Sequence, residues 1–151
     1  MNELIMTPIG CVKNEVIDKK HSLWGEDLST IILDEQYTCG LTGLEGFSHA
    51  VILFYLDKAR FEKECHLIRR PRNRDDMPLI GIFAQRTKDR PNRIGMTSVE
   101  IVSVADNALV VRGLDAINGT PVLDIKPYYP VFDKKDAIVP EWVDRLMEKY
   151  F

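Results

Sequence analysis

Ser98-Val99-Glu100-Ile101-Val102-Ser103-Val104, then Asp106-Asn107, then Leu109-Val110-Val111-Arg112, is the stretch that sets the fold class. Its first part alternates. Val99, Ile101 and, less cleanly, Ser103 fall on one face, with Glu100, Val102 and Val104 on the other, which is the period of a β-strand. Asp106-Asn107 has hairpin-turn chemistry, so Leu109 to Arg112 returns as the partner strand. Further strands are predicted on either side of this hairpin. Ala50 to Leu56 is the most apolar run and reads as a buried central strand ending at Asp57-Lys58. Ser29 to Leu33, Leu79 to Phe83 and Val122 to Ile125 also read as strands. Ile5 to Val12 does too, with Pro8 confining it to an edge or a bulge. Leu41 to Phe47 is punctuated by glycine and suits a short turn or helical corner. Only from Pro140 does the period change: Trp142, Val143, Leu146, Met147 and Tyr150 share one face of a helix over about 140–150. That face is expected to pack on the body or on a second subunit. The expected fold is mainly β: a small antiparallel β-barrel with short helical insertions and a C-terminal helix, forming one domain over residues 1–151.

The 151 residues are 45% hydrophobic and 28% charged, enough for an ordinary soluble core. No apolar run approaches the roughly 20 residues of a membrane span. The N-terminus lacks a secretory pattern, so a cytoplasmic protein is expected. Cys11, Cys39 and Cys65 are far apart and unpaired in spacing, which suggests neither a disulfide framework nor a metal site. No Gly-x-Gly-x-x-Gly, phosphate loop or Ser-His-Asp elbow is present.

The net charge of −3 hides a strong segregation. From Arg69 to Arg93 there are seven arginines and one lysine against three aspartates, a local +5, so the remainder carries −8. A basic stripe on an acidic body is suited to gripping a phosphate backbone. Its densest part is Gly81-Ile82-Phe83-Ala84-Gln85-Arg86-Thr87-Lys88-Asp89-Arg90-Pro91-Asn92-Arg93-Ile94-Gly95. Pro91 restrains this loop, and each arginine offers a planar fork of donors to an anion. The neighbouring Arg69 to Asp76 run reads equally as an ordered element or as a basic loop that needs a partner.

Two more segments stand out: Gly43-Leu44-Glu45-Gly46-Phe47-Ser48-His49, and Leu114 to Tyr128 with Asn118-Gly119-Thr120-Pro121-Val122-Leu123-Asp124-Ile125-Lys126-Pro127 inside it. Together with the arginine loop and Pro8-Ile9-Gly10, they resemble the TsaA-like, TrmO-type family of S-adenosylmethionine-dependent tRNA methyltransferases over about residues 5–133. The resemblance implies a β-barrel enzyme working as a homodimer. It further implies methyl transfer to N6 of threonylcarbamoyl-adenosine beside the anticodon, in the anticodon stem-loop of tRNA; the scattered cysteines and histidines lead us to expect no metal. By position, it places Asp57, Lys58, Arg86, Met96, Asn118, Gly119, Thr120 and Pro121 at the cofactor. Asn118 stands where the family usually has aspartate, and Arg93 where proline is common. The N-terminal segment after Val12 lacks the Arg-Gln-Pro-Gly stretch of bacterial members, so His21 to Gly25 is assigned no cofactor role. The sequence also stops soon after the barrel motifs, where many bacterial members continue into a further domain.

For such a reaction, Arg86 is the first candidate for the cofactor's carboxylate, and the Gly119 backbone the second. Asp124, Tyr128 and His49 are candidates for accepting the proton or orienting the acceptor. Each also has a plain structural reading: Asp124 with Lys126 as a surface pair, Tyr128 in a rigid turn, and His49 as a satisfied strand residue. Arg70, Arg72, Arg74, Arg90 and Arg93 are the candidates for phosphate. A methyltransferase acting on a small molecule or another RNA, and a non-catalytic S-adenosylmethionine-binding module, are the alternative functions.

Overall fold

The computed structural model describes residues 2–18 and 22–151. Six strands close a barrel in the order β1-β2-β7-β6-β3-β8, antiparallel throughout. They are β1 (Gly10–Lys13), β2 (Leu28–Leu33), β3 (His49–Tyr55), β6 (Ile94–Ala105), β7 (Ala108–Arg112) and β8 (Pro121–Pro127). The two remaining strands, β4 (Ile68–Arg69) and β5 (Ile80–Gly81), pair only with each other. The described residues also form three short α-helices: α1 (Lys63–His66), between β3 and β4, and α2 (Pro130–Asp133) and α3 (Glu141–Met147), after β8.

Alternation along each barrel strand fills the interior. Val12, Ile31, Ile52, Phe54, Val99, Leu109, Val111 and Val122 are all buried in one cluster. Each strand's opposite residues point outward, as the pleat requires. Leu41 and Leu44, from the 3-10 turns between β2 and β3, join the core at one end of the barrel; Leu114 and Ala116 join it at the other. Closure brings backbones together, and two glycines permit it. A Cβ on Gly10 would lie 2.2 Å from the Ile32 carbonyl oxygen, and one on Gly95 would meet the Phe54 ring at 2.3 Å.

The expected barrel is present, with corrections. The first strand begins at Gly10, after Pro8, rather than at Ile5; residues 5–8 lie outside the ladder. The strand expected over 79–83 is only Ile80–Gly81, outside the barrel, because the chain turns into a 3-10 helix at Ile82–Ala84. In the hairpin, the β6–β7 register shifts between Ile101 and Ser103. That bulge exposes Val102 and Ser103 and turns Val104 inward, reversing the simple alternation. The Asp106-Asn107 turn holds, with Ala105 opposite Ala108. Helix α3 stops at Met147, and Lys149 takes a positive φ of 58°. Tyr150 therefore leaves the helical face. The Leu23 and Trp24 amides donate to the Lys149 and Tyr150 carbonyls, and the Tyr150 hydroxyl donates to Asp115 Oδ2 at 2.5 Å.

Gly10→Ala is expected to destabilise the barrel by about 2 kcal/mol, because the methyl would meet backbone that cannot yield. Gly46→Ala, with open space at the Cβ position, is expected to stay within about 0.5 kcal/mol of wild type. Urea midpoints measure both. Burial, followed by the Asp115 charge, pushes the Tyr150 phenol above its ordinary 10.0. A raised folded-state value means that this stabilisation is complete below pH 10 and fades as pH rises above it. Alkaline unfolding curves are expected to carry a component above pH 10 that Tyr150→Phe removes.

Candidate functional site

The β7 strand leaves β6 early. Their last pair is Glu100 with Arg112, after which the chain turns away at Gly113, whose φ is +84°. The Gly113 amide donates to the Asp27 carbonyl, fixing the departure. Ile94 to Val99 of β6 is thus paired with β3 on one side and, among the described residues, has no strand on the other. Side chains fill that edge. Arg86 Nη2 donates to the Met96 carbonyl at 2.7 Å, and the buried Thr97 hydroxyl donates to Asp115 Oδ1. With Tyr150 on Oδ2, both Asp115 oxygens are engaged. The Arg72 guanidinium lies 5.5 Å from the centre of the Tyr150 ring. Arg72 and Arg86 are both near enough to oppose the rise in the Tyr150 phenol.

Strand polarity places the other cofactor candidates at the same end of the barrel. This is the end where β3 and β7 finish and where β6 and β8 begin. Asp57 and Lys58 follow β3, 3.5 Å apart as an ion pair. Asn118 to Pro121 leads into β8. Asn118 Oδ1 accepts from the Asn14 amide at 3.2 Å. The Gly119 amide donates to the Val12 carbonyl, so that N–H serves the fold and is already engaged. The Thr120 hydroxyl and amide both donate to the Ile117 carbonyl. Arg86 is exposed and holds its Met96 contact through one nitrogen, leaving further donors for an anion. His21, in the stretch discussed above, lies outside the described residues.

The phosphate candidates divide by what they hold. Arg70 donates to the Met77 carbonyl, Arg90 to Gln85, and Arg93 to Ala59. Arg93 also donates to the Tyr55 hydroxyl and sits 4.7 Å over its ring. Arg74 pairs with Asp76 at 2.6 Å, and that bond raises the Arg74 value and lowers that of Asp76. The basic run is therefore ordered around its own carbonyls.

The proton-acceptor candidates lie elsewhere. Tyr128 and His49 are neighbours, with ring centres 6.2 Å apart, and Ser48 Oγ lies 2.8 Å from His49 Nδ1. They stand at the start of β3, whose seven residues span about 20 Å to the end carrying Asp57. Asp124 pairs with Lys126 at 2.6 Å, raising the lysine's value. It also lines a cavity of about 540 Å³ with Ile9, Leu33, Tyr37 and Phe47, at the His49 end. Phe47 stacks on Tyr129, and Tyr129 on Phe132. A second, shallower cavity, of about 400 Å³, lies between Asp75–Pro78 and α3. No cluster of three or more metal-ligating side chains occurs among the described residues. No helix among them is long and apolar enough to cross a membrane.

The sequence marks no site role for Asp115, Thr97 or Tyr150. Asp115 is a lone carboxylate between Leu114 and Ala116, both buried. That flanking was the available signal. Nothing local marked Tyr150, because its contact depends on where the chain turns after α3.

The family model of the tRNA-methyltransferase O N-terminal domain matches residues 14–134. An S-adenosyl-L-methionine-binding protein of Archaeoglobus fulgidus is 35% identical over 134 residues, covering 86% of this chain and 93% of that protein. A human tRNA (adenine(37)-N6)-methyltransferase is 38% identical over 109 residues, covering 69% of this chain and 23% of that one. Two crystal structures of TrmO from Pseudomonas aeruginosa superpose with TM-scores of 0.76 and 0.73 at 28% identity. They cover 94% and 93% of this chain, which spans 62% of theirs. The closed barrel, its strand order and the three motif segments carried on it thus have one common explanation: this chain belongs to the family of the tRNA-methyltransferase O N-terminal domain.

Proposed function

We propose that this chain is an S-adenosylmethionine-dependent methyltransferase that methylates adenosine 37 of tRNA, at N6 of its threonylcarbamoyl form. The observation that carries this reading is the single barrel end at which Asp57, Lys58, Arg86, Met96 and Asn118 to Pro121 gather. Relatives named for the cofactor and for tRNA adenine 37 set its chemical identity. The donor set fits the cofactor: Arg86 has free N–H groups for a carboxylate, and the carboxylates of Asp57 and Asp115 suit a cation. The cofactor supplies a methyl group on a sulfonium; the acceptor nitrogen takes it, the sulfur leaves as a neutral thioether, and the nitrogen's proton passes to a base. The protein's work is placement and exclusion of water. Arg72 and Arg74, on the exposed turn after β4, are the residues best placed to meet phosphate. Arg70, Arg90 and Arg93 hold that surface in shape, with spare guanidinium donors for the same anions.

The working form in this proposal is a homodimer in the cytoplasm. Apolar side chains beside the site support it: Phe83 is 79% exposed, and Ile68, Leu79 and Met96 are exposed as well. A second copy also offers a route by which His49, Tyr128 or Asp124 of one chain could serve the Arg86 end of another. Within one chain, the length of β3 keeps His49 and Tyr128 away from that end, whereas Asp124 lies level with Met96 on the other side of Leu53.

Incubation with methyl-labelled S-adenosylmethionine and tRNAs bearing or lacking the threonylcarbamoyl group, followed by nucleoside digestion, tests the reaction. Label is expected in the threonylcarbamoyl-adenosine fraction alone. Label in another nucleoside would refute the acceptor, and no transfer with retained cofactor binding would point to a binding module. Arg72→Glu with Arg74→Glu is expected to weaken tRNA binding and lower the slope of log affinity against log salt by about 2, and Arg74→Glu alone, which leaves the Arg72 contact with the Tyr150 ring in place, is expected to spare cofactor affinity. An unchanged slope would remove both from the phosphate contacts. In sedimentation, Phe83→Glu is expected to convert a dimer to a monomer without lowering its melting temperature. A wild type that is active as a monomer would overturn the dimer.

A further inference from the structure

We propose that Asp115, clamped by Thr97 and Tyr150, is the partner of the ammonium group of the cofactor's amino-acid tail, and that Tyr150 is its positioning residue. The inference rests on the cofactor reading above and assigns a place to one half of that ligand. The tail is a zwitterion, so a site for it needs an anion and a cation a few ångströms apart, both on fixed supports. The open edge of β6 supplies both. Arg86 is anchored on the Met96 carbonyl, and Asp115 on the hydroxyl of the next residue, Thr97. Consecutive Cα atoms are about 3.8 Å apart, so the two anchors are neighbours by construction.

Each carboxylate oxygen has two acceptor positions. Thr97 takes one on Oδ1 and Tyr150 takes one on Oδ2, which leaves one on each oxygen. Asp115 is half-buried, so the free positions are not sealed in the core. Thr97, by contrast, is buried and strand-bound, which fixes one oxygen rigidly. Tyr150 fixes the other from a separate segment, itself tied to Leu23 and Trp24 through the backbone. Two donors from independent elements define the plane of a carboxylate in a way one donor does not. Arg72 over the Tyr150 ring adds a third support and keeps the ring from swinging outward. Arg72 and Arg86 both lie near enough to the Tyr150 phenol to act on its charge. An ammonium group would then make hydrogen bonds in set directions, beyond simple charge attraction.

Calorimetry with two probes tests the assignment. S-adenosylhomocysteine carries the amino-acid tail, and 5′-methylthioadenosine lacks it. Tyr150→Phe keeps the ring and removes only the hydroxyl. It is expected to weaken S-adenosylhomocysteine about tenfold, as the loss of one well-placed hydrogen bond to a charged group would. Affinity for methylthioadenosine is expected to stay within about twofold. Asp115→Asn is expected to lose more on the first probe and again spare the second. Equal weakening of both probes would show a merely structural role, and unchanged S-adenosylhomocysteine affinity in Tyr150→Phe would remove the clamp; either result overturns the assignment. Wild-type protein that bound neither probe would overturn the cofactor reading itself. Binding by wild type with no selective loss in the variants would overturn this inference alone.

Discussion

An unpaired strand edge is the constraint on which the site depends. A barrel strand normally has its backbone donors and acceptors met from both sides. Here β7 ends opposite Glu100, and Ile94 to Val99 of β6 keeps only β3 as a strand neighbour among the described residues. The backbone along that edge needs other partners, and Arg86 supplies one at the Met96 carbonyl. A guanidinium held by its own fold at one nitrogen still presents others to solvent. The same departure carries Asp115 beside Thr97. Gly113 makes this possible, because its φ of +84° is costly for any residue with a Cβ. One early strand ending thus sets a cation and an anion beside a rigid sheet edge.

The arginine-rich segment follows a related logic. Loops of this length without strands or long helices leave carbonyls unmet, and arginine has five donors to meet them. Arg70, Arg90 and Arg93 each reach a carbonyl several to many residues away. Asp89 gathers Lys88 at 2.9 Å and Arg69 at 3.6 Å, and the Arg60 amide donates to it. Burial works against the Asp89 charge, yet hydrogen bonds from Lys88 and Arg60 hold its carboxyl below the usual range. Basic residues read as a binding surface are therefore also the mortar of that surface. The two roles are compatible, since one bond to a carbonyl uses a fraction of a guanidinium's donors.

Patterns that depend on near neighbours were legible in the sequence. The hairpin at Asp106-Asn107 and the apolar strand from Ala50 both follow from local period and turn chemistry. The bulge at Val102 was not legible, although the uneven Ser103 position hinted at it; a bulge answers to the register of two strands rather than to either alone. Leu79 to Phe83 misled for a similar reason. Its apolar residues suit a strand, but Leu79 and Phe83 are exposed and only Ile82 of its large side chains is buried. Candidate site residues carried by motifs are visible in the sequence, whereas Asp115 and Tyr150 are joined across 35 positions by a bond that no local rule reaches.

Strand length settles how the two groups of candidate residues relate. Antiparallel strands in a closed barrel deliver their ends to two rims, and nothing in the pleat lets a residue at one rim reach the other. His49 and Tyr128 occupy one rim, and Asp57, Arg86 and Gly119 belong to the opposite one. Asp124, midway along β8, faces outward beside Leu53 and is held by Lys126. A reaction that needs a group from each rim therefore needs two barrels, set so that one chain's rim lies against the other's flank. One flank with exposed apolar side chains is that around β4, β5 and Phe83, three residues before Arg86. A second barrel seated there would shield the open edge of β6 from water and present new side chains to it. In this fold, association and completion of the site would be the same event.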